Sequence, residues 1–205
     1  MLLYAVTDRS WLNGRSLAQD VEKALLGGVT MIQLREKNLS DEQYINEALE
    51  IKKICKKYNV PLIINDNINV AIKSGADGVH VGQDDTDVKL LRQKYNYKGI
   101  IGATAHNVNE AIKAENSGAD YLGVGAIFST STKNNTIPIT YDILKDVCSA
   151  VTIPVCAIGG INGDNILSLE GSGIDGVAVV SAVFASKDIQ TETHALKKKA
   201  IRVIG

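Results

Sequence analysis

The sequence contains two acidic and three basic residues of the kinds that bind phosphorylated substrates. Asp66 and Asp85 each follow a short apolar run. Mg²⁺ is commonly bound by one or two carboxylates together with water and substrate phosphate oxygens. Arg35, Lys37 and Lys133 supply the positive charge that a diphosphate requires, as one bidentate guanidinium and two point charges. Together these residues predict a magnesium-assisted diphosphate site.

A second phosphate site is indicated by two glycines and a small polar residue. Gly159 and Gly160 follow one apolar run, and Val180 and Ser181 follow the next. Backbone N–H groups at such positions often bind phosphate in α/β barrels, since glycine allows a close approach.

Residues 126–139 form a long polar connection, which is typical of a lid.

An internal repeat shows which elements must position these residues. The sequence SGADGVHVG at 74–82 recurs in similar form at 117–125 and 172–180, and more weakly at 27–34. Each copy has the pattern of a helix end, a glycine turn and a short apolar strand. Further apolar runs of strand length lie at 3–6, 62–64, 100–101 and 155–158.

Eight strands that alternate with helices predict an α/β fold, a parallel sheet closed into a (β/α)₈ TIM barrel, with residues 1–205 in a single catalytic domain. Ser16, Ser40 and Asn107 each precede Gln or Glu by three positions, which predicts capped helix starts. An open doubly wound sheet is the alternative architecture. In a barrel the candidate residues would converge, because active sites lie at the carboxyl ends of the strands.

Composition and charge argue against several classes of protein. The 22 Lys and Arg nearly balance the 23 Asp and Glu, so no basic excess indicates nucleic acid binding. The 3 cysteines lack CxxC spacing, which argues against a disulfide framework and a cysteine zinc site. No apolar run reaches the length of about 18 residues that indicates a membrane span. We expect a cytoplasmic protein that acts on small molecules, with no nucleic acid or membrane partner.

Motifs for hydrolysis and for nucleotide binding are absent from the sequence. There is no Gly-x-Ser-x-Gly elbow and no Gly-x-x-x-x-Gly-Lys loop. The chain has 3 histidines, too few to supply a histidine-rich metal site. His80 lies within a predicted strand and is expected to pack there, which leaves His106 as the one histidine expected near the site. The sequence therefore favours electrostatic over acid–base catalysis.

Five short motifs occur in order along nearly the whole chain. They are QLREK at 33–37, ND at 65–66, HVGQDD at 80–85, GVG at 123–125 with TSTK at 130–133, and IGGI at 158–161. In this order they resemble the thiamine phosphate synthase family. Members of that family join a hydroxymethylpyrimidine diphosphate to a thiazole phosphate, with release of pyrophosphate, and use Mg²⁺. The resemblance implies a transferase of thiamine biosynthesis.

The resemblance also implies a role for each candidate residue. The pyrimidine diphosphate would be bound by Gln33, Arg35, Lys37, Asn65, Thr104 and Lys133. The catalytic charges among these would be Arg35, Lys37 and Lys133. Mg²⁺ would be held by Asp66 and Asp85. The thiazole phosphate would be bound by Thr130, Ser131, Thr132, Gly160, Val180 and Ser181. The resemblance further suggests a homodimer.

The chain departs from the family pattern at three positions. Thr104 stands where serine is usual, so the hydroxyl is kept and we expect activity to persist. Ala126 and Ser129 stand where prolines are common in the lid motif. Their absence predicts a lid that is more mobile in the free enzyme.

Two other functions stay open at this point. A related barrel, thiazole tautomerase, isomerises a carboxythiazole phosphate and lacks the full diphosphate-binding set, which is present here. A non-catalytic barrel that senses thiamine phosphates is the second alternative. It would bind the product without releasing pyrophosphate.

Overall fold

Eight short parallel strands close into a barrel in the computed structural model, which describes residues 1–130 and 138–205. The strands are β1 (Leu3–Val6), β2 (Met31–Leu34), β3 (Leu62–Asn65), β4 (Gly78–Val81), β5 (Ile100–Ala105), β6 (Tyr121–Val124), β7 (Val155–Ile158) and β8 (Gly176–Val179). Each pairs with the next, and β8 closes the barrel by placing Ala178 opposite Tyr4. The predicted (β/α)₈ barrel is confirmed. Strand β5 is longer than the apolar run predicts, because Thr104 and Ala105 continue its pairing with β6.

Helices surround the barrel, and those within the described residues are α1 (Leu17–Gly27), α2 (Asp41–Lys57), α3 (Ile68–Ser74), α4 (Val88–Gln93), α5 (Val108–Asn116), α6 (Tyr141–Ala150), α7 (Ser181–Phe184) and α8 (Ile189–Ile204). The first six lie between successive strands, a short 3₁₀ turn (Ile166–Leu169) takes the place of a helix between β7 and β8, and α7 and α8 follow β8. The caps predicted at Ser16, Ser40 and Asn107 are all present. Each side chain accepts a hydrogen bond from the backbone N–H three residues later, which satisfies a donor that the first helical turn leaves unpaired. Among the described residues, no helix has the length and apolar character needed to cross a membrane.

The repeated segments form helix ends followed by strands, as their sequence predicts. In the first copy, Gly75 caps α3 in the left-handed conformation with a φ of 64°, and β4 begins at Gly78. In the last copy, Gly173 has a φ of 86° and precedes β8. Glycine adopts this backbone conformation at little cost because it has no Cβ.

Side chains alternate between two cores along each strand, since successive residues point to opposite faces. Leu3 and Ala5 belong to the outer core between the strands and the helices, whereas Tyr4 points into the barrel lumen. The buried inner cluster is formed by Tyr4, Met31, Ile63, Tyr121, Cys156 and Ala178. Polar residues continue this inward series toward the carboxyl ends, as Gln33 and Arg35 do after Met31. The alternation that fills the lumen therefore also aims the site residues.

Candidate active site

A pocket with both polar and apolar walls lies at the carboxyl ends of the strands. Its walls are formed by Val6, Gln33, Arg35, Lys37, Asn65, Asp66, His80, Gly82, Asp85, Thr104, His106, Gly125, Ala126, Thr130, residues 158–161 and residues 178–181. All predicted site residues within the described ranges are therefore brought together in this one pocket. The predicted residues Ser131, Thr132 and Lys133 lie outside the described residues.

Two carboxylates form the acidic part of the pocket. Asp66 follows β3, and its Oδ2 accepts a hydrogen bond from Lys37 Nζ at 2.7 Å. Asp85 lies in the turn after β4, where its Oδ2 accepts from the backbone N–H of Gly82 at 2.7 Å. Burial raises the pKa of the Asp66 carboxyl; Lys37 opposes that rise, and the nearby Asp85 adds to it. Because two neighbouring carboxylates repel one another, a cation bound between them would be stabilised.

The donor set of the pocket fits a hard divalent cation. Within residues 1–130 and 138–205, no cluster of three or more His, Cys, Asp or Glu side chains could hold a metal ion. A structural zinc site needs such a cluster, whereas Mg²⁺ takes one or two carboxylates and completes its shell with water and phosphate oxygens. Asp66 and Asp85 satisfy the second requirement.

Arg35 and Lys37 bring positive charge to the same part of the pocket. The backbone N–H of Arg35 donates to the buried Thr7 hydroxyl at 2.9 Å, which fixes the chain where β2 ends. Asp8 Oδ2 lies 4.0 Å from Arg35 Nη1, a long ion pair that is beyond hydrogen-bond distance. We call Arg35, Lys37, Asp66 and Asp85 the charged side of the pocket.

Glu36 lies between these two basic residues but is turned away from the pocket. Its side chain is 3% exposed, and its Oε2 accepts a hydrogen bond from Arg9 Nε at 2.7 Å. Arg9 also pairs with Glu47 through Nη2. Burial and the adjacent Glu47 raise the pKa of Glu36 to about 7. The sequence places Glu36 at the strand end but gives no sign of this burial, which depends on residues of η1, the short 3₁₀ turn Arg9–Trp11, and of α2.

The opposite part of the pocket is formed largely by backbone. Gly159 and Gly160 have φ values of 101° and 66°, in the left-handed region. A Cβ on Gly160 would lie 2.5 Å from the backbone oxygen of Ser129, so a side chain does not fit without a shift of the backbone. Val180 and Ser181 complete this region at the end of β8. We call Gly159, Gly160, Val180 and Ser181 the backbone side.

The connection after β6 is anchored at both described ends. The N–H groups of Ile127 and Phe128 donate to the carbonyls of Ile158 and Gly159, each at 3.0 Å. The N–H of Ile139 donates to the carbonyl of Ala126 at 2.8 Å. Ile127, Phe128 and Ile139, the apolar residues at the two ends of the predicted polar connection, are therefore held against the ends of β6 and β7 by backbone hydrogen bonds.

The expectation that His106 alone among the histidines lies near the site is wrong, because His80 also lines the pocket. His106 Nδ1 shares a hydrogen bond with Glu110 Oε2 at 2.8 Å. His80 is 7% exposed and packs in β4 as predicted, but its ring points inward. Alternation along β4 places Gly78, His80 and Gly82 on the inward side. This pattern is the sequence signal that could have identified His80 as a pocket residue.

A pocket at the carboxyl end of a closed (β/α)₈ barrel, with charges on one side and glycine backbone on the other, has the position and composition typical of the active site of a barrel enzyme. Comparison with known proteins identifies the family. The family model described as thiamine monophosphate synthase matches residues 3–183. The chain belongs to this family, as its motifs predict.

Relatives along the whole chain agree with that assignment. The chain is 48% identical over 195 residues to thiamine-phosphate synthase of Clostridium novyi (strain NT), covering 95% of this chain and 96% of the relative. It is 47% identical over 196 residues to thiamine-phosphate synthase of Chloroflexus aurantiacus, covering 95% and 90%. Among solved structures, thiamine phosphate pyrophosphorylase from Pyrococcus furiosus superposes with a TM-score of 0.92 at 35% identity, covering 99% and 96%. Enzymes of this kind are transferases.

Proposed function

We propose that the protein joins 4-amino-5-hydroxymethyl-2-methylpyrimidine diphosphate to thiazole phosphate, forming thiamine phosphate and pyrophosphate. The observation that carries the proposal is the pairing, in one pocket, of a charged side with a backbone side. In this reaction the diphosphate of the pyrimidine substrate leaves, whereas the phosphate of the thiazole substrate only holds that substrate in place. Family membership supports the same reaction.

The charged side fits the diphosphate and a magnesium ion. Asp66 and Asp85 would hold Mg²⁺, which when bound neutralises negative charge on the diphosphate oxygens. Arg35 and Lys37 would contact the remaining oxygens, and Lys133 would add a third positive charge. Gln33, Asn65 and Thr104 would orient the pyrimidine ring.

The chemical step requires no base or nucleophile from the protein. The bond between the pyrimidine methylene carbon and the diphosphate oxygen breaks, and its electron pair leaves with the diphosphate. The electron-rich aminopyrimidine stabilises the resulting cation, and the lone pair of the thiazole nitrogen forms the new C–N bond. Arg35, Lys37 and Lys133 stabilise the charge that grows on the leaving group, which lowers the barrier electrostatically.

The backbone side would bind the phosphate of the second substrate. Gly160, Val180 and Ser181 are the described residues proposed for this contact, together with Thr130. Ser131 and Thr132 are proposed as further contacts. Binding the phosphate here would hold the thiazole nitrogen toward the reacting carbon, which replaces a random encounter by an oriented one.

Pyrophosphate release tests this proposal directly. Purified protein is assayed with both substrates and Mg²⁺, with each substrate alone, and with both substrates and EDTA. We expect release only when both substrates and Mg²⁺ are present. Isomerisation of a carboxythiazole phosphate without release would instead identify a tautomerase. Tight binding of thiamine phosphate without any turnover would identify a sensor.

We also propose that the protein is a cytoplasmic homodimer. Cys55, Cys148 and Cys156 are free thiols, in keeping with a reducing compartment. Light scattering during gel filtration tests the assembly, and we expect a mass about twice the 22.0 kDa of the chain. A mass equal to that of one chain would contradict the dimer.

A further inference from the structure

A chain of hydrogen bonds crosses the barrel lumen beneath the pocket and joins Gln33 to Thr104. Gln33 Nε2 donates to the Tyr4 hydroxyl at 2.5 Å, and the hydroxyls of Tyr4 and Tyr121 share a hydrogen bond of 2.8 Å. The Tyr121 hydroxyl lies 3.0 Å from His80 Nδ1. His80 Nε2 lies 3.1 Å from Thr104 Oγ1. Both ends of the chain line the pocket.

The barrel is shaped to hold this chain. Tyr4 and Tyr121 are 2% and 3% exposed, and their rings meet edge to face with centroids 5.9 Å apart. Gly102 faces inward between the neighbouring strands, and a Cβ there would overlap both the Tyr121 ring and His80 Nδ1. A Cβ on Gly123 would lie 3.0 Å from His80 Cε1. Glycine at these two positions leaves the space in which the tyrosine and histidine rings meet.

The hydrogen bonds of the chain fit one continuous direction, in which each group donates to the next. A phenol has a single hydrogen, so when Tyr4 accepts from Gln33 it can donate to Tyr121, which can donate to His80 Nδ1. A neutral histidine in this arrangement carries its hydrogen on Nε2 and donates it to Thr104 Oγ1. Burial raises the pKa of both tyrosine hydroxyls, so both keep their hydrogens at neutral pH. In this direction Gln33 offers its carbonyl oxygen to a ligand, and Thr104 offers its hydroxyl hydrogen.

We infer that Tyr4, Tyr121 and His80 are positioning residues that make Gln33 a hydrogen-bond acceptor and Thr104 a donor toward one planar ligand. A 4-aminopyrimidine is the complement of this arrangement, because its amine donates and its ring nitrogens accept. The inference rests on the proposed function, in which this ring belongs to the first substrate. It assigns roles to the two buried tyrosines beneath the pocket and to His80 through their hydrogen bonds to Gln33 and Thr104.

Removing one hydroxyl from the middle of the chain tests the inference. In Tyr121→Phe we expect the KM for pyrimidine diphosphate to rise roughly tenfold, which corresponds to the loss of one or two buried hydrogen bonds. The KM for thiazole phosphate should stay unchanged. Tyr4→Phe is the second variant and should show the same split. Tyr97→Phe is the matched control, because its buried hydroxyl has no hydrogen-bond partner among the described residues.

Nitrogen-15 NMR of the histidine rings provides a readout that is independent of turnover. We expect wild-type His80 to carry its hydrogen on Nε2, and Tyr121→Phe to lose the hydrogen-bonded Nδ1 signal, whereas Tyr97→Phe keeps it. A KM for pyrimidine diphosphate within twofold of wild type in both chain variants would overturn the inference. So would a His80 ring that carries its hydrogen on Nδ1. Absence of pyrophosphate release by the wild-type protein would count against the proposed function, and the NMR measurement would still decide the direction of the chain.

Discussion

The two sides of the pocket are built differently, and the proposed function assigns a different phosphate group to each. The charged side consists of side chains that follow β2, β3 and β4, which are neighbours in the barrel. The backbone side follows β7 and β8, which are also neighbours, and its glycines leave no room for side chains. A leaving diphosphate gains negative charge as its bond breaks, so it needs charge opposite to it. A phosphate that only anchors its substrate keeps its charge and needs only hydrogen bonds.

The largest effect should come from neutralising one carboxylate of the charged side. In Asp66→Asn we expect kcat to fall roughly 100-fold or more, because charge stabilisation of the leaving group is lost. Asparagine keeps the backbone, since Asp66 has a φ of 62° and asparagine also tolerates the left-handed region. The measurement is pyrophosphate release over a range of Mg²⁺ concentrations, and the variant should need more Mg²⁺ than the wild type.

Asp84→Asn is the matched control for that measurement. Asp84 precedes Asp85 in sequence, is exposed, and is not part of the pocket wall. Its substitution removes the same charge from the same end of the barrel, and we expect kcat within twofold of wild type. Equal decreases in kcat in Asp84→Asn and Asp66→Asn would show that only the total negative charge at this end of the barrel matters. The charged side would then have no specific role.

A smaller effect, on binding of the second substrate, should follow from adding a methyl group to the backbone side. In Gly160→Ala the new Cβ meets the backbone of Phe128 and Ser129, so the strand end must move. We expect the KM for thiazole phosphate to rise about tenfold while the KM for pyrimidine diphosphate stays near the wild-type value, as for the loss of one well-placed hydrogen bond. Steady-state kinetics with each substrate varied in turn measures both constants.

Gly75→Ala separates the loss of phosphate binding from simple backbone strain. Gly75 has a φ of 64°, close to the 66° of Gly160, but a Cβ there meets no atom within 4 Å. Both variants should lose about 1 kcal/mol of stability from the left-handed conformation. Only Gly160→Ala should change the thiazole phosphate KM, and a similar change in Gly75→Ala would trace the effect to strain.

The sequence predicts the barrel and most of the described pocket, because both depend on local patterns. The repeat at 74–82 marks the strands, and residues that follow strands, such as Asp66 and Gly160, must meet at one end of a parallel barrel. The lumen network was not predicted. Tyr4 and Tyr121 are 117 residues apart, and alternation shows that both point inward without showing that their hydroxyls meet.

The burial of Glu36 was missed for a similar reason. Its position beside Arg35 and Lys37 gives no sign of burial, yet its side chain is 3% exposed and pairs with Arg9, which also pairs with Glu47. Arg9 lies 27 residues before Glu36, and Glu47 lies on the following helix, α2. Burial of a charge depends on what covers it, and local pattern carries no information about that cover.

The smallest effect concerns stability and comes from Glu36, which lies between Arg35 and Lys37 in sequence but outside the charged side. Folding raises the pKa of Glu36 from 4.5 to about 7 through burial and the adjacent Glu47. The folded state therefore holds a proton that the unfolded state has released, and the stability that this proton provides is lost as pH rises toward and beyond 7. In Glu36→Gln the amide replaces the protonated acid and does not titrate. Between pH 6 and 8 the free energy of unfolding of the wild type should fall by about 1 kcal/mol relative to the variant.

Urea unfolding of both proteins at several pH values measures this difference. Two opposing contributions act on Glu36, since Arg9 stabilises the ionised carboxylate while burial and Glu47 disfavour it. A relative fall in wild-type stability with rising pH would show that burial and Glu47 outweigh Arg9. A difference that stays constant from pH 6 to 8 would show that Arg9 keeps Glu36 ionised throughout. In that case Glu36 would be an ionised partner of Arg9, and its burial would carry no pH-dependent cost in stability.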